Sequence, residues 1–414
     1  MTPPDTGPRA VMTKTSRRDA LRPESDVDLF SDEHLSNPYP DYAALREIGA
    51  AVYMSRYDVW AVTRYAEARQ ILSNWRAFTS TQGVSVGKEF VPFFEHSALY
   101  ADPPEHERLR KVLSDRLSTK ALATLTTEIQ RRADEIVAAQ VARGEFDAIA
   151  DIAQVFPVTL VADLIGLPQQ GRDGLLERAS AAFNFFGPAN SRAMGSMELF
   201  QAVYQYVSEY ASRDRVTPDG FAMTIYHAVD QGELNEAEAL SLMLAYTIAG
   251  IDTTVNGLGS AIWLLATHPD QWAQLRARPE LADQAFEEVL RIESPITGFV
   301  RTARTDCRVG DSDLRAGDRL LILFAAANHD ERHWNQPDHF DITRKPGGHL
   351  GFGHGLHACA GRGLARLEGR SLLLALARQI ESIQASTPVR RLNNVIRGLE
   401  HLHVTVTPEV HAAA

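Results

Sequence analysis

The sequence predicts one mainly helical domain with small β-sheets attached. Three observations predict it. Apolar residues recur at spacings of three and four through most of the chain, the pattern of helices with one buried face. A single helical stretch runs from Asn235 to Pro269, about 50 Å at 1.5 Å per residue, enough to cross a whole domain. Strand-like runs are short and few, and neither an internal repeat nor a clean linker divides the 414 residues.

Taken in order, the first 25 residues alternate Pro, Thr, Arg and Asp without an apolar core. Residues 1–35 are therefore read as a disordered tail carrying no secretory leader. The domain is expected over 36–406, with 407–414 as a C-terminal tail. Pro38–Ile48 reads as a helix, Ala51–Met54 and Asp58–Val62 as strands, and Arg64–Asn74 as a helix. Between Pro104 and Arg143 the spacing gives two or more amphipathic helices. Ile152–Leu164, Gly171–Phe185 and Met194–Ser212 follow as helices. The long helix opens on Asn235, a good N-cap with Glu238 three residues on. Its mostly apolar middle should be buried. After the helix Leu281–Glu293, the pattern turns to strands at Val300–Val309 and Arg319–Ala325, joined by a turn rich in Gly and Asp. A Gly- and Pro-bearing loop then reaches Cys359 and a last helix, Gly361–Ile380.

Composition excludes several functions. Net charge is -11, which argues against nucleic acid or an anionic membrane as the main partner. The longest uninterrupted apolar run, Leu320–Ala327, falls far short of the roughly 20 residues that span a bilayer. Two cysteines, Cys307 and Cys359, cannot form a disulfide framework, and a reducing cytoplasmic setting is expected.

Cys359 sits in a reactive setting. It lies in the run Phe352-Gly353-His354-Gly355-Leu356-His357-Ala358-Cys359-Ala360-Gly361. Gly353 and Gly355 allow a tight loop whose N–H groups point toward the sulfur. A position at a helix start should lower the thiol pKa through the dipole. Gly361 leaves space for a flat ligand against the helix.

This run resembles the haem-binding signature of the bacterial cytochromes P450, and the resemblance extends from about residue 36 to residue 405. It implies the single-domain P450 fold, a long central helix over the haem, and haem b bound with Cys359 as axial metal ligand. A thiolate there favours O–O cleavage. Further motifs follow in the family's order. Glu288 and Arg291 match its Glu-x-x-Arg, and Arg344 is implied as third member of a buried triad supporting the cysteine loop. On the long helix, Ala249-Gly250-Ile251-Asp252-Thr253-Thr254 matches the segment forming the oxygen groove. Ala249 is implied to border the haem, Gly250 to make room for dioxygen, Thr253 to hydrogen-bond the bound oxygen, and Asp252 to relay protons. His106, Arg110, Arg301 and His357 are implied to pair with the haem propionates, with Phe352, Gly353 and Gly361 lining the haem. The implied activity is monooxygenation of an organic substrate. Electrons are expected from a separate ferredoxin and its reductase, docking near Arg362, Arg366 and Lys345. A monomer is expected.

The segments Ala182–Asn190, Ala249–Gly257 and Asn393–Glu400 are similar to those of the para-substituted benzoate O-demethylases. That similarity makes Phe183, Phe186 and Phe299 aromatic walls of a small flat pocket, with Leu99 and Ile296 nearby. Those enzymes hold a carboxylate with Arg and hydroxyl groups. The positions that correspond here are Phe93, His96, Leu244, Ala245 and Ile248, which are mostly apolar, although Lys88 or His96 could reach in. A buried carboxylate without donors costs several kcal/mol, so a less charged ring is expected: a methoxy-aromatic compound, including neutral lignin-derived phenols, losing its methyl group. Two alternatives stand beside this: hydroxylation of a terpenoid or other biosynthetic intermediate, and a haem-binding sensor without catalysis.

Overall fold

The computed structural model describes residues 22–409. The N-terminal part consists of β1 (Glu24–Ser25), α1 (Asp32–Ser36), α2 (Tyr39–Ile48), β2 (Ala51–Met54), β3 (Val59–Val62), α3 (Tyr65–Ser73) and β4 (Phe78–Thr79). Helices α4 (Glu105–Asp115), α5 (Thr119–Ala123) and α6 (Thr126–Val141) follow, then β5 (Glu145–Asp147), a π-helical turn and α7 (Val155–Ile165). Next come α8 (Leu175–Phe183), α9 (Ser191–Gly195), α10 (Met197–Tyr210), α11 (Phe221–Asp230) and the long α12 (Glu236–Thr267). After α13 (Pro269–Ala277) and α14 (Ala282–Glu293) the chain forms β6 (Gly298–Ala303), β7 (Cys307–Val309), β8 (Ser312–Leu314), β9 (Arg319–Leu323) and α15 (Phe324–Ala327). It ends in α16 (Arg362–Gln379), β10 (Ile380–Ala385), β11 (Val389–Leu392), β12 (Arg397–His401) and β13 (His403–Pro408).

Helix α12 organises the domain. The Asn235 side chain accepts from Glu238 N and the Glu238 carboxylate accepts from Asn235 N, each at 2.9 Å. This reciprocal cap satisfies two N–H groups that a helix start otherwise leaves open. Along its length α12 packs against α7, α8, α14 and α16, and two large apolar clusters share its faces. The principal sheet has six strands in the order β1-β2-β3-β9-β6-β4. In it Trp60 lies opposite Leu320 and Arg301 opposite Leu320 across the next pair. Strand β6 thereby carries Phe299 and Arg301 toward the centre.

Several expectations need correction. Residues 22–35 do not belong to a tail: they form β1 and most of α1, and Leu29, Phe30 and His34 are buried. Thr407 and Pro408 likewise belong to β13; the remaining tail positions, 1–21 and 410–414, lie outside the described residues. The expected strand Val300–Val309 breaks at Arg304, where the chain leaves β6 and starts the small β7–β8 hairpin. The strand expected to reach Ala325 turns helical at Phe324, as the alanine run favours. Pro269, taken as the end of the long helix, also occupies the first turn of α13, where its missing N–H costs nothing.

Candidate active site

A cavity of about 330 Å³ lies between α12 and the cysteine loop. The loop is a compact hydrogen-bonded structure. Gly353 N donates to Leu350 O (2.8 Å), Ala358 N to Gly355 O (3.1 Å) and Cys359 N to Phe352 O (2.8 Å). Gly355 has φ +69°, and a Cβ there would lie 2.2 Å from Leu72 O, so only glycine fits. The Cys359 sulfur lines the cavity, and the nearby backbone N–H groups of Gly361 and Arg362 favour its thiolate. Burial nevertheless pushes the thiol above its ordinary value, and those N–H groups, Arg110 and Arg362 only offset part of this. The expected lowering by the helix start is therefore outweighed. Held as a thiolate, this sulfur calls for a further cationic partner such as a metal ion.

The triad is assembled and buried. Arg291 Nε and Nη2 donate to the two Glu288 oxygens at 2.7 Å, both side chains being fully buried. Arg344 Nε donates to the same carboxylate at 3.0 Å. Arg291 Nη1 also donates to Asn328 O and Pro337 O, at 2.8 and 2.7 Å. The Asn328 side chain in turn accepts from Leu350 N at 2.7 Å, at the root of the cysteine loop.

His106, Arg110, Arg301 and His357 converge on one side of the cavity. The His106 and His357 rings meet edge to face at 4.5 Å. Arg110 donates to Ala358 O and Arg301 to Val300 O. Among the described residues, no carboxylate pairs with either guanidinium, and neither ring nitrogen of buried His106 has a partner. Burial, with the two arginines adding, holds His106 down at about 4 and His357 at about 2. One buried cation, Arg301, one half-buried cation, Arg110, and an unsatisfied imidazole fit a ligand that brings paired carboxylates. The cysteine sulfur, and Gly361, where a Cβ would touch only that sulfur at 3.9 Å, fit a flat metal-bearing ring. The residues present thus suit haem, with Phe352, Gly353 and Ala249 also lining the cavity.

On α12, Gly250 and Thr253 line the cavity. The Cβ position of Gly250 faces Val161 of α7 at 3.3 Å, so the absent side chain serves helix–helix approach; only the backbone borders the cavity. Thr253 Oγ1 donates to Ala249 O at 2.7 Å. Asp252, fully buried, does not line the cavity and is turned toward Arg391 of β11. Burial pushes its carboxyl up to about 6 from 3.8, against the pull of Arg391. The folded chain therefore holds this proton more tightly than the unfolded one. The stability this gives is complete below 3.8 and lost as pH rises through about 6. Asp252→Asn has no such loss. Between about pH 5 and about pH 8 its stability relative to the parent should rise by about 1 kcal/mol, read from denaturation midpoints. A constant difference across that range contradicts a buried carboxyl titrating there.

The remaining wall is apolar. Phe183, Phe186, Phe299, Leu99, Ile296, Leu244, Ala245 and Ile248 all line the cavity. His96 does not: it is exposed, lies 3.5 Å from Glu95 and stays outside the lining. Phe93 and Lys88 are also outside, Phe93 being 38% exposed. Their places are taken by Phe94, stacked on Phe186 at 4.7 Å, and by Ser97, whose buried hydroxyl has no partner. The one-residue shift follows from the 3₁₀ turn over Lys88–Phe93, which no periodicity marks. Glu368, one turn and more into α16, is a further lining residue; burial raises its carboxyl to about 8. On the outer side, Arg362 and Lys345 are exposed, whereas Arg366 is held by Glu287 at 2.7 and 3.0 Å.

Comparison with known proteins agrees with this geometry. A family model described as "Cytochrome P450" matches residues 176–388. The chain is 41% identical over 409 residues to "Cytochrome p450 CYP199A2" of Rhodopseudomonas palustris, covering 97% of this chain and 99% of that protein. It is 32% identical to the "Vitamin D(3) 25-hydroxylase" of Pseudonocardia autotrophica, covering 92% and 96% respectively. Among solved structures, P450BioI in complex with an acyl carrier protein ligated to hexadec-9Z-enoic acid superposes with a TM-score of 0.80 at 28% identity. That match covers 91% of this chain and 99% of the other. No described helix is long and apolar enough to cross a membrane.

Proposed function

Since the chain belongs to the cytochrome P450 family of haem b monooxygenases, we propose that it oxidises a small neutral aromatic ring by removing a methyl group from a methoxy substituent. One observation carries the substrate reading. The wall contributed by Phe94, Phe183, Phe186, Phe299, Leu244 and Ile248 is apolar. The two arginines lining the cavity lie by the cysteine loop, Arg110 bonded to Ala358 O and Arg301 close to His357. Aromatic walls suit a single ring through edge and stacking contacts. A carboxylate against this wall would go without a cation, at a cost of several kcal/mol. The unpartnered Ser97 hydroxyl instead suits one neutral polar substituent.

Cys359, His106, Arg110, Arg301 and His357 would hold the haem, which would supply the iron chemistry for reductive activation of dioxygen. The protein's own residues do the rest. Cys359 provides the anionic ligand, while the aromatic wall orients the ring and excludes water. Asp252 holds a proton beside the cavity, against Arg391 of β11, and Thr253 presents a hydroxyl to the cavity. Overall, the methoxy compound, O₂, two electrons and two protons give the phenol, formaldehyde and water. The two electrons come from a separate ferredoxin docking on the Arg362 and Lys345 side.

The test is titration of the purified holoprotein by spin-state change, followed by ferredoxin-supported turnover. Neutral methoxyphenols should bind at least about tenfold tighter than 4-methoxybenzoate, about 1.4 kcal/mol, and release one formaldehyde per oxidation. Tighter binding of the benzoate overturns the neutral-ring reading. Oxidised product without formaldehyde overturns demethylation.

A further inference from the structure

Arg366 shares a face of α16 with Arg362, four residues earlier, yet its guanidinium is committed to the protein itself. Nε and Nη2 donate to the two oxygens of Glu287 on α14, at 2.7 and 3.0 Å, the forked geometry that grips a carboxylate best. The same guanidinium lies over the Phe352 ring, 5.1 Å from its centroid, a contact between a cation and an aromatic face. Glu287 has a further partner: His349 Nε2 donates to its Oε2 at 3.1 Å. Burial raises this carboxyl, but the His349 hydrogen bond and Arg366 outweigh burial and hold it down at about 2. A fixed negative charge results.

The histidine carries this contact to the cysteine loop. Its Nδ1 accepts from Gly351 N at 3.0 Å, so the ring proton sits on Nε2, facing the carboxylate. His349 is buried, and its ring also packs on Phe352 with centroids 5.7 Å apart. The Gly351 N–H belongs to the same peptide group as the Leu350 carbonyl, which accepts from Gly353 N at 2.8 Å. That peptide is gripped at both polar ends, in a place too tight for a side chain: a Cβ on Gly351 would lie 2.7 Å from Leu290 O. One residue on, Phe352 O accepts from Cys359 N. The path from the Arg366 guanidinium to the cysteine amide is therefore continuous. Carboxylate, imidazole and peptide polarise one another in the same sense along it.

We infer that Arg366, Glu287 and His349 are positioning residues for the cysteine ligand: together they fix the Leu350–Gly351 peptide and, through it, the loop that presents the sulfur. Arg366 thus serves the thiolate rather than the docking of the electron donor. Two neighbouring acids divide the labour. Glu288, through Arg291 and Asn328, holds Leu350 N, while Glu287, through His349, holds Gly351 N. The first chain is buried; the second ends at a side chain 45% exposed. This inference rests on the reading of Cys359 as the haem ligand.

The experiment compares Arg366→Gln, Glu287→Gln, His349→Leu and His349→Asn as haem-loaded proteins. One readout is the rate at which the carbon monoxide complex of the reduced protein loses its red-shifted band. The other is kcat and the KM for ferredoxin in supported oxidation. Arg366→Gln, Glu287→Gln and His349→Leu should each speed band loss by about tenfold, the scale of one charge-assisted hydrogen bond. Each should lower kcat and leave the ferredoxin KM at its parental value. His349→Asn should recover part of the loss, because Asn bonds the backbone two residues on and so still accepts from Gly351 N. A docking role for Arg366 makes the opposite forecast. Arg366→Gln would then raise the ferredoxin KM, Glu287→Gln would free the guanidinium and lower it, and band loss would stay parental in both. That result overturns the positioning triad. A parental protein without the red-shifted band overturns instead the underlying reading of Cys359.

Discussion

Cys359→Ser should leave the chain folded but abolish the red-shifted carbon monoxide band of the reduced protein, and with it nearly all turnover. The backbone bond from residue 359 to Phe352 O does not depend on the side chain, so the loop should persist. The chemistry should not. Serine does not ionise in this range and gives the iron no thiolate, whose electron donation favours O–O cleavage. Cys307 cannot substitute, because it sits in the β7–β8 hairpin and does not line the cavity. A loss of about a thousandfold, equivalent to about 4 kcal/mol of activation free energy, is expected in ferredoxin-supported oxidation. A retained red-shifted band in the variant would remove Cys359 as the ligand and the mechanism with it.

The parts legible in the sequence are those where local chemistry and tertiary structure make the same demand. The Asn235–Glu238 cap is written in adjacent residues and forms as read. The glycines of the cysteine loop are needed by local φ values and by Leu72 alike. Glu288 and Arg291 share a helix face by spacing alone, and that face is buried. What was not legible depends on distant partners. Strand β10 pairs with β13 through a bulge and β13 with β5, more than 250 residues away in sequence, so no short window shows the sheet. His96 looked available to the cavity because the 3₁₀ turn that rotates Phe94 and Ser97 inward has no periodic pattern. Gly250 matched the expected segment, yet its missing side chain faces Val161, a constraint set by α7. The Arg391 contact with Asp252 spans 139 positions and leaves no motif at all.

Arg291→Ala should be the most damaging substitution for stability. Glu288 would remain as a fully buried carboxylate without its principal partner, a situation that costs about 3–5 kcal/mol. The carbonyls of Asn328 and Pro337 would each lose a donor as well. Asn328 also anchors Leu350 N, and Leu350 O accepts from Gly353 N, so the damage should reach the cysteine loop. Low haem content and a lowered denaturation midpoint are expected together. Arg344→Ala should be milder, because that side chain retains 14% exposure and gives Glu288 a single bond at 3.0 Å. Replacing Glu288 and Arg291 together by Leu and Met separates the two causes. It removes the buried charge, so most of the 3–5 kcal/mol should return. The backbone carbonyls stay without donors, so haem retention should recover less than stability does. Full recovery of both in the double variant would show that the ion pair serves only its own charge, and that the cysteine loop is held in place by other contacts.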